Sequence, residues 1–240
     1  MGLPKISICI PAYEMGGHGS AMLYQLLVSA QEQDYPNKEI IVSDHTVDRS
    51  LKSICDKFPV VYSHCVKRRG SSSANINNAI DQAHGEFIKP MFQDDLFMNE
   101  GSLSYMYNDL VRHYGTWAMG GYKKYESNPS QLIESVWPPK PINWDSIAWK
   151  NGLGPPSGLL YKKCNLRFDE DLIWVMDCEF YYRLYKRFGL PHIIDNFVVL
   201  VRVWSGSVSN ALVKPQLPRL FNVEQSLVQT KMAQKGYGSR

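Results

Sequence analysis

Four short runs rich in β-branched and apolar residues alternate with stretches of helical spacing in the first half of the chain: KISICI (5–10), KEIIVSD (38–44), VVYSHCV (60–66) and HGEFIKPMF (84–92). Strands separated by helices cannot all pair as hairpins; they pair in parallel, with each connection crossing over through a helix. The intervening segments fit that scheme. SAMLYQLLVSAQEQ keeps Met22, Leu23, Leu26, Leu27 and Ala30 on one helical face, and a short helix behind Asp48 as its cap carries Leu51, Ile54 and Cys55. KRRGSSS opens a further helix that runs to about Ala83. The expected fold class is α/β, a Rossmann-like single domain with a mostly parallel central sheet flanked by helices.

In such a sheet ligands collect at the carboxyl ends of the strands, where loops and helix N-termini converge. Asp44 ends the second run, Arg68 and Arg69 follow the third, and Asp94 and Asp95 follow the fourth, in PMFQDDLF. Two carboxylates about 4 Å apart repel by roughly 4 kcal/mol at an effective dielectric of about 20, so the pair needs solvent, protons or a cation. A polar turn meets that need as well as a metal does. Arginine forks and the free N–H groups of a serine-rich helix start suit phosphate oxygens, whereas a solvated basic loop explains the same residues. Asp44 suits a base N–H or ribose hydroxyls. The loop after the first strand carries Gly16, Gly17 and Gly19 but lacks the third glycine of a dinucleotide fingerprint and the lysine of a P-loop, and reads as a flexible approach to the helix. Asp177, where an apolar segment meets a helix, is either a cap or a general base.

Beyond residue 115 the pattern changes. WAMGGYKKYE and QLIESVW read as strands, GLLYKK as a short one and HIIDNFVVLVRVW as a long one, while DCEFYYRLYKRF (177–188) is a helix with Phe180, Leu184 and Phe188 on one face. WPPKP and GPPSG are proline-bearing loops, and the stretch WPPKPINWDSIAWKNG is expected to form a lid over an acceptor. PQLPRLFNVEQSLVQTKMAQKG is an amphipathic helix with a basic excess, expected on the domain's flank or, as the weaker alternative, at a membrane surface. A net charge of +3 over 240 residues is too mild to indicate nucleic acid as a partner. The five cysteines are odd in number, dispersed and without a C-x-x-C pair, which excludes a disulfide framework and fits a reducing compartment. With no secretory leader pattern and no run of about 20 apolar residues, the expected location is cytoplasmic.

Four blocks stand in an order that resembles the family 2 glycosyltransferases, inverting enzymes of the GT-A fold that move a sugar from a nucleotide diphosphate donor. ISICIPAYE is similar to the opening strand and nucleotide-binding loop, and KEIIVSDHTVDRS to E-I-I-V-V-D-D-G-S-T-D. SSSANINNAIDQAHGEFIKPMFQDDLF resembles the A-x-N-x-x-x-x-x-A-x-G-E-Y-I stretch leading into a D-x-D region. RFDEDLIWVMDCEFYYRL resembles the F-D-E and E-D-x-E-L-x-x-R segment that holds the catalytic base.

The resemblance implies a GT-A domain over 1–210, divided into a nucleotide-sugar half (1–115) and an acceptor half (116–210), with 211–240 as a helical tail. It implies Pro11, Ala12, Tyr13 and Glu14 bordering the base and ribose, Asp44 reading the base, and Arg68 or Arg69 beside the base or diphosphate. Of the aspartate pair, one would contact ribose and one would ligate Mg2+ or Mn2+ on the diphosphate, with Asp95 the preferred metal ligand and Asp94 beside it. Asp177 would be the base. Glu179 and Trp174 would meet the acceptor, with Trp137, Trp144, Trp149, Tyr181 and Tyr182 as further flat faces on which a sugar can stack.

The implied partners are a nucleotide-sugar donor, UDP-linked by default, and a glycan or glycolipid acceptor of polysaccharide biosynthesis, with contact between tail and membrane at most peripheral. Four residues depart from the family pattern: Phe92 for the first aspartate of D-x-D, Met176 for a glutamate before the base, His45 for the second acid of D-D-G, and Trp204 where a histidine often assists the metal. A hard cation would then lean on phosphate oxygens and water. Two other readings share these residues. A nucleotidyltransferase would show a Gly-rich fingerprint with a basic residue after the first strand; a nucleotide-sugar-binding protein would keep the pocket without turnover.

Overall fold

The computed structural model describes residues 2–137, 143–207, 210, 216–234 and 237. Among them, β1 (Ile6–Ala12), β2 (Lys38–Asp44), β3 (Val61–His64), β4 (Phe87–Pro90), β5 (Leu96–Phe97), β6 (Trp117–Tyr125), β7 (Leu132–Val136), β8 (Leu159–Lys162) and β9 (His192–Arg202) form one sheet. Its order is β3-β2-β1-β4-β8-β6-β9-β5, with β7 paired to β6. The helices are α1 (Gly19–Gln31), α2 (Lys52–Cys55), α3 (Ser72–Asp81), α4 (Ser102–Arg112), α5 (Met176–Phe188) and α6 (Leu217–Met232).

The parallel arrangement expected for the first half is present: β1 pairs in parallel with β2 and β4, and β2 with β3. β8 is antiparallel to both β4 and β6, so β6 and its parallel partner β9 run in the direction of β1. The ends of β1, β2, β3, β4 and β9 therefore share one edge of the sheet. The sheet crosses residue 115 without a break, since β8 pairs with β4.

Strand geometry sends alternate side chains to opposite faces, and β1 is buried throughout. Ile6, Ile8 and Ile10 pack with Leu23, Leu26 and Leu27 of α1 and with Leu103 and Met106 of α4. On the other face Cys9 joins Ile76 and Ile80 of α3, Phe180, Tyr181 and Leu184 of α5, and Val228 of α6. Burial on both faces is why these strands read as continuous apolar runs.

Several local expectations change. α4 was not anticipated, although Leu103, Met106 and Leu110 keep helical spacing and are all fully buried. The fourth strand is shorter than HGEFIKPMF and ends at Pro90. Asp48 does not cap α2: the N-cap is Leu51, which makes no side-chain cap, and Asp48 instead accepts from Ser50 N at 3.0 Å within a turn. The glycine loop is a defined 3-10 turn over Met15–Gly17 rather than a flexible link, with Glu14 accepting from the N–H groups of Gly16 and Gly17. Gly19 is required there, because a Cβ on it would lie 2.3 Å from the Tyr13 carbonyl oxygen. The tail packs on the domain through α6, where Val228 and Glu224 are buried. Among the described residues no helix is long and apolar enough to cross a membrane.

Candidate active site

The loop between β4 and β5 carries the aspartate pair at the shared strand edge. Asp95 is 5% exposed and Asp94 is half-buried. Asp94 Oδ2 accepts from Trp204 Nε1 at 3.0 Å, and Asp95 Oδ2 accepts from Ser157 Oγ at 2.5 Å. Ser157 Oγ in turn accepts from Phe92 N at 3.0 Å. Burial raises both carboxyls above their usual range, and the neighbouring charge of Asp94 raises Asp95 further.

Beneath them lies Lys89, fully buried in β4. Its Nζ donates to the carbonyls of Pro90 (3.1 Å) and Ser157 and sits 5.4 Å from the Phe97 ring. Burial pulls this ammonium down to about 7.

A carboxylate has about four acceptor positions, so one side-chain donor on each aspartate, with the Arg202 N–H as a further donor to Asp95, leaves room for a hard cation. All-oxygen donors of this kind suit Mg2+ or Mn2+, which complete their shells with phosphate and water. The donor set therefore fits the implied metal, with fewer protein ligands than the family pattern: Phe92 offers none, and Trp204 donates to Asp94 where a histidine would accept a metal.

Asp177 lies in the first turn of α5. The N-cap is Val175, so the cap reading does not apply to Asp177. Asn151 Nδ2 donates to Asp177 Oδ2 at 2.6 Å, and Cys178 N donates to Oδ1 at 2.7 Å. Burial pushes this carboxyl up to about 6, with those two donors pulling the other way. That value suits a group that must be ionised near neutrality and still take a proton.

One stretch of chain, residues 151–158, supplies a partner to each end of the site. Asn151 holds Asp177 and Ser157 holds Asp95, while Asn151 Oδ1 also accepts from Leu153 N and Gly154 N. Gly154 has φ +100°, and a Cβ there would press 2.9 Å from the Tyr122 ring. Sequence reading treated this stretch as a proline loop and missed both polar residues. An Asn and a Ser flanking G-P-P were the available signal.

The nucleotide-side residues fall as follows. Pro11 and Ala12 lie in β1, and Ala12 pairs with Asp44 across the register. Tyr13 is 50% exposed, and its N–H donates to Gln93 Oε1 at 2.6 Å. Gln93 Nε2 reaches the Gly19 carbonyl, tying the loop after β1 to the aspartate pair. Asp44 is fully buried and accepts from Thr46 N (2.7 Å), Thr46 Oγ1 (2.9 Å) and the Tyr62 hydroxyl (2.8 Å). His45 is buried 3.1 Å from the Lys67 carbonyl, and burial lowers its pKa, so it supplies no charge at neutral pH. Arg68 is paired with Asp171 at 2.9 Å. Arg69 is exposed and makes no ion pair or hydrogen bond among the described residues.

On the acceptor side, Glu179 is fully buried and ion-paired to Arg183, and it also accepts from the Tyr237 hydroxyl. The structure therefore gives it to the inside of the fold. Trp174 is half-buried against the second core cluster. Trp137 is 44% exposed and lies on Phe197, with centroids 4.1 Å apart. Trp144 stacks on Tyr185, and Tyr181 and Tyr182 are buried. The lid expectation falls partly on 138–142, outside the described residues.

A separate group of metal-ligating types, Asp109 in α4, His113 at its C-cap and His192 at the start of β9, lies away from the edge just described. The two imidazoles stack with centroids 4.2 Å apart and planes 17° apart, so their in-plane lone pairs do not converge on a common point.

The family model for glycosyl transferase family 2 matches residues 7–192. A GalNAc(5)-diNAcBac-PP-undecaprenol beta-1,3-glucosyltransferase of Campylobacter jejuni is 31% identical over 107 residues, which cover 42% of this chain and 33% of that protein. Among solved structures, S. aureus TarS 1-349 in complex with UDP-GlcNAc superposes with a TM-score of 0.71 at 20% identity, covering 94% of this chain and 66% of that one. A mannosyltransferase of Pyrobaculum calidifontis with GDP-Man and Mn2+ gives 0.54 at 15% identity, covering 83% of this chain and 57% of that one. These likenesses establish the GT-A fold. The chain spans only a third of the length of the curated relative it matches.

Proposed function

The chain belongs to glycosyl transferase family 2, and from that premise we propose that it transfers a sugar from a nucleotide diphosphate donor to a hydroxyl of a glycan or glycolipid acceptor, with inversion. The observation that supports the reading is the stretch 151–158, which hydrogen-bonds both a raised-pKa carboxylate, Asp177, through Asn151 and Asp95 through Ser157. UDP is the first donor to test, because the solved TarS complexes hold UDP and UDP-GlcNAc. The matched relative acts in the assembly of a polyprenyl-diphosphate-linked glycan, which makes a glycolipid the leading acceptor class.

An alcohol is a weak nucleophile until its proton leaves during attack. Asp177, ionised above about pH 6, takes that proton as the hydroxyl reaches the anomeric carbon from the face opposite the diphosphate. Asn151 keeps the carboxylate aimed. Arg69, unlike Arg68, has no partner of its own among the described residues and would be the cation available to the diphosphate. Asp95 and Asp94 would hold Mn2+ or Mg2+, which supplies positive charge against the leaving group. Tyr13 and the end of β2 would border the base and ribose. Access to a lipid-linked acceptor would require peripheral contact with a membrane, which co-sedimentation with vesicles would detect.

The test is a panel of UDP-, GDP- and dTDP-sugars with Mn2+, with and without a polyprenyl-diphosphate-linked oligosaccharide. Acceptor-dependent release of nucleoside diphosphate from one donor supports the reading. Nucleotide binding without release from any of them would reduce the protein to a nucleotide-sugar binder.

A further inference from the structure

α5 begins without a side-chain cap of its own. Val175, at its N-cap, has no acceptor, so the N–H groups at the entrance to the helix need a partner from elsewhere. They find one in α6. Glu224 Oε1 accepts from Ile173 N at 2.8 Å, and Glu224 Oε2 accepts from Trp174 N and Val175 N, both at 2.9 Å. Glu224 is 3% exposed, and three backbone N–H dipoles at the approach to the helix point at its two carboxyl oxygens.

α6 grips the same segment at two further points. Lys231 pairs with Asp169 and, at 3.3 Å, with Asp171. Tyr237, just beyond the helix, donates to Glu179. The chain from 169 to 179 is thus fastened to the C-terminal region before, at and after the turn that carries Asp177.

We propose that Glu224 is a positioning residue for Asp177: by fixing the backbone of 173–175 it sets where the base meets the acceptor hydroxyl, while Asn151 sets the rotation of the carboxylate. The inference rests on Asp177 being the base. Glu224 acquires a kinetic role through this arrangement because, among the described residues, it is the α6 side chain bonded to the backbone that leads directly into Asp177's turn. Lys231 holds Asp169 and Asp171 earlier in the segment, and Tyr237 holds the Glu179 side chain rather than the backbone. The donor-side residues at the ends of β1 to β4 make no hydrogen bond to Glu224 among the described residues.

The experiment compares Glu224→Gln, Glu224→Asp, Val228→Ala and Asp177→Asn with the wild-type chain, using UDP-GlcNAc with Mn2+ and following UDP release. Glu224→Gln keeps the shape but turns an amide NH2 toward N–H groups. Displacing the base by a fraction of an ångström lowers kcat about 10- to 100-fold, with the donor KM within about twofold of wild type, and Glu224→Asp recovers part of the loss. Val228→Ala loosens the packing of α6 without touching the carboxylate, so it lowers Tm and leaves kcat unchanged.

An unchanged kcat in Glu224→Gln, or an equal loss in Val228→Ala, overturns the inference while Asp177→Asn remains inactive. Full turnover by Asp177→Asn overturns the base and this inference together. One arm needs neither variant nor turnover: in the wild-type chain the amides of Ile173, Trp174 and Val175 exchange with deuterium as slowly as those inside α5, and rapid exchange of all three contradicts the proposal.

Discussion

The two ends of the candidate site are built in opposite ways. The donor end hangs from adjacent parallel strands: Ala12 faces Asp44 across the β1–β2 register, and Gln93 bridges the loops that follow β1 and β4. Its side chains are where the strand ends put them. The base end is assembled from loop and helix side chains that meet outside the sheet. Asp177 is oriented by Asn151, 26 residues earlier, and its helix is capped by Glu224, 49 residues after Val175. Strand register is a local property of sequence pattern, whereas a cap borrowed from another helix exists only once the fold has closed. Damage at the donor end should therefore appear in binding, and damage at the base end in turnover.

The largest effect expected is that of Asp177→Asn. Transfer falls by about 100- to 10,000-fold, while calorimetry finds UDP bound as by the wild type; a parallel loss of UDP affinity would show that the two ends are not separable. Next is Arg183→Ala, which strands the fully buried Glu179. Removing one partner of a buried pair costs about 3–5 kcal/mol, read as a lower urea midpoint. The donor KM of the molecules still folded should not change.

How far each end was legible in the sequence follows the same division. The parallel sheet and the placement of Asp44, Arg68, Arg69, Asp94 and Asp95 at strand ends came from apolar runs alternating with helical spacing. α4 was equally legible and was passed over, with Leu103, Met106 and Leu110 at regular intervals. What pattern did not carry was partnership. That Arg68 is committed to Asp171, Glu179 to Tyr237, and Trp204 to Asp94 depends on contacts across 58 to 110 residues, which no spacing rule encodes, whereas the i,i+4 pair of Glu179 and Arg183 follows from helical spacing. Asn151, Ser157 and Glu224 are ordinary polar residues in sequence, and they acquire meaning only from the groups they meet.

Smaller effects sharpen the contrast. Asp95→Ala should weaken Mn2+-dependent UDP binding at least about tenfold, the lower end of what even an outer-shell change costs a metal site, and should leave metal-free binding as it was. Equal UDP affinity with Mn2+ and with chelator in the wild-type chain would remove the metal from the account. The pH dependence is the mildest test. As the proposed base Asp177 would act as the ion, and burial raises its pKa to about 6, so kcat/KM should be level above that value and fall about tenfold per pH unit below it. Asp177→Asn should lose that acid limb along with its rate.

The central claim is that Asp177 deprotonates an acceptor that displaces the diphosphate in one step. The anomeric configuration of the transferred sugar tests it most directly, by proton NMR of the product formed from an α-linked nucleotide sugar. A β-linked product is the predicted result; an α-linked product would contradict single displacement and with it the role of Asp177.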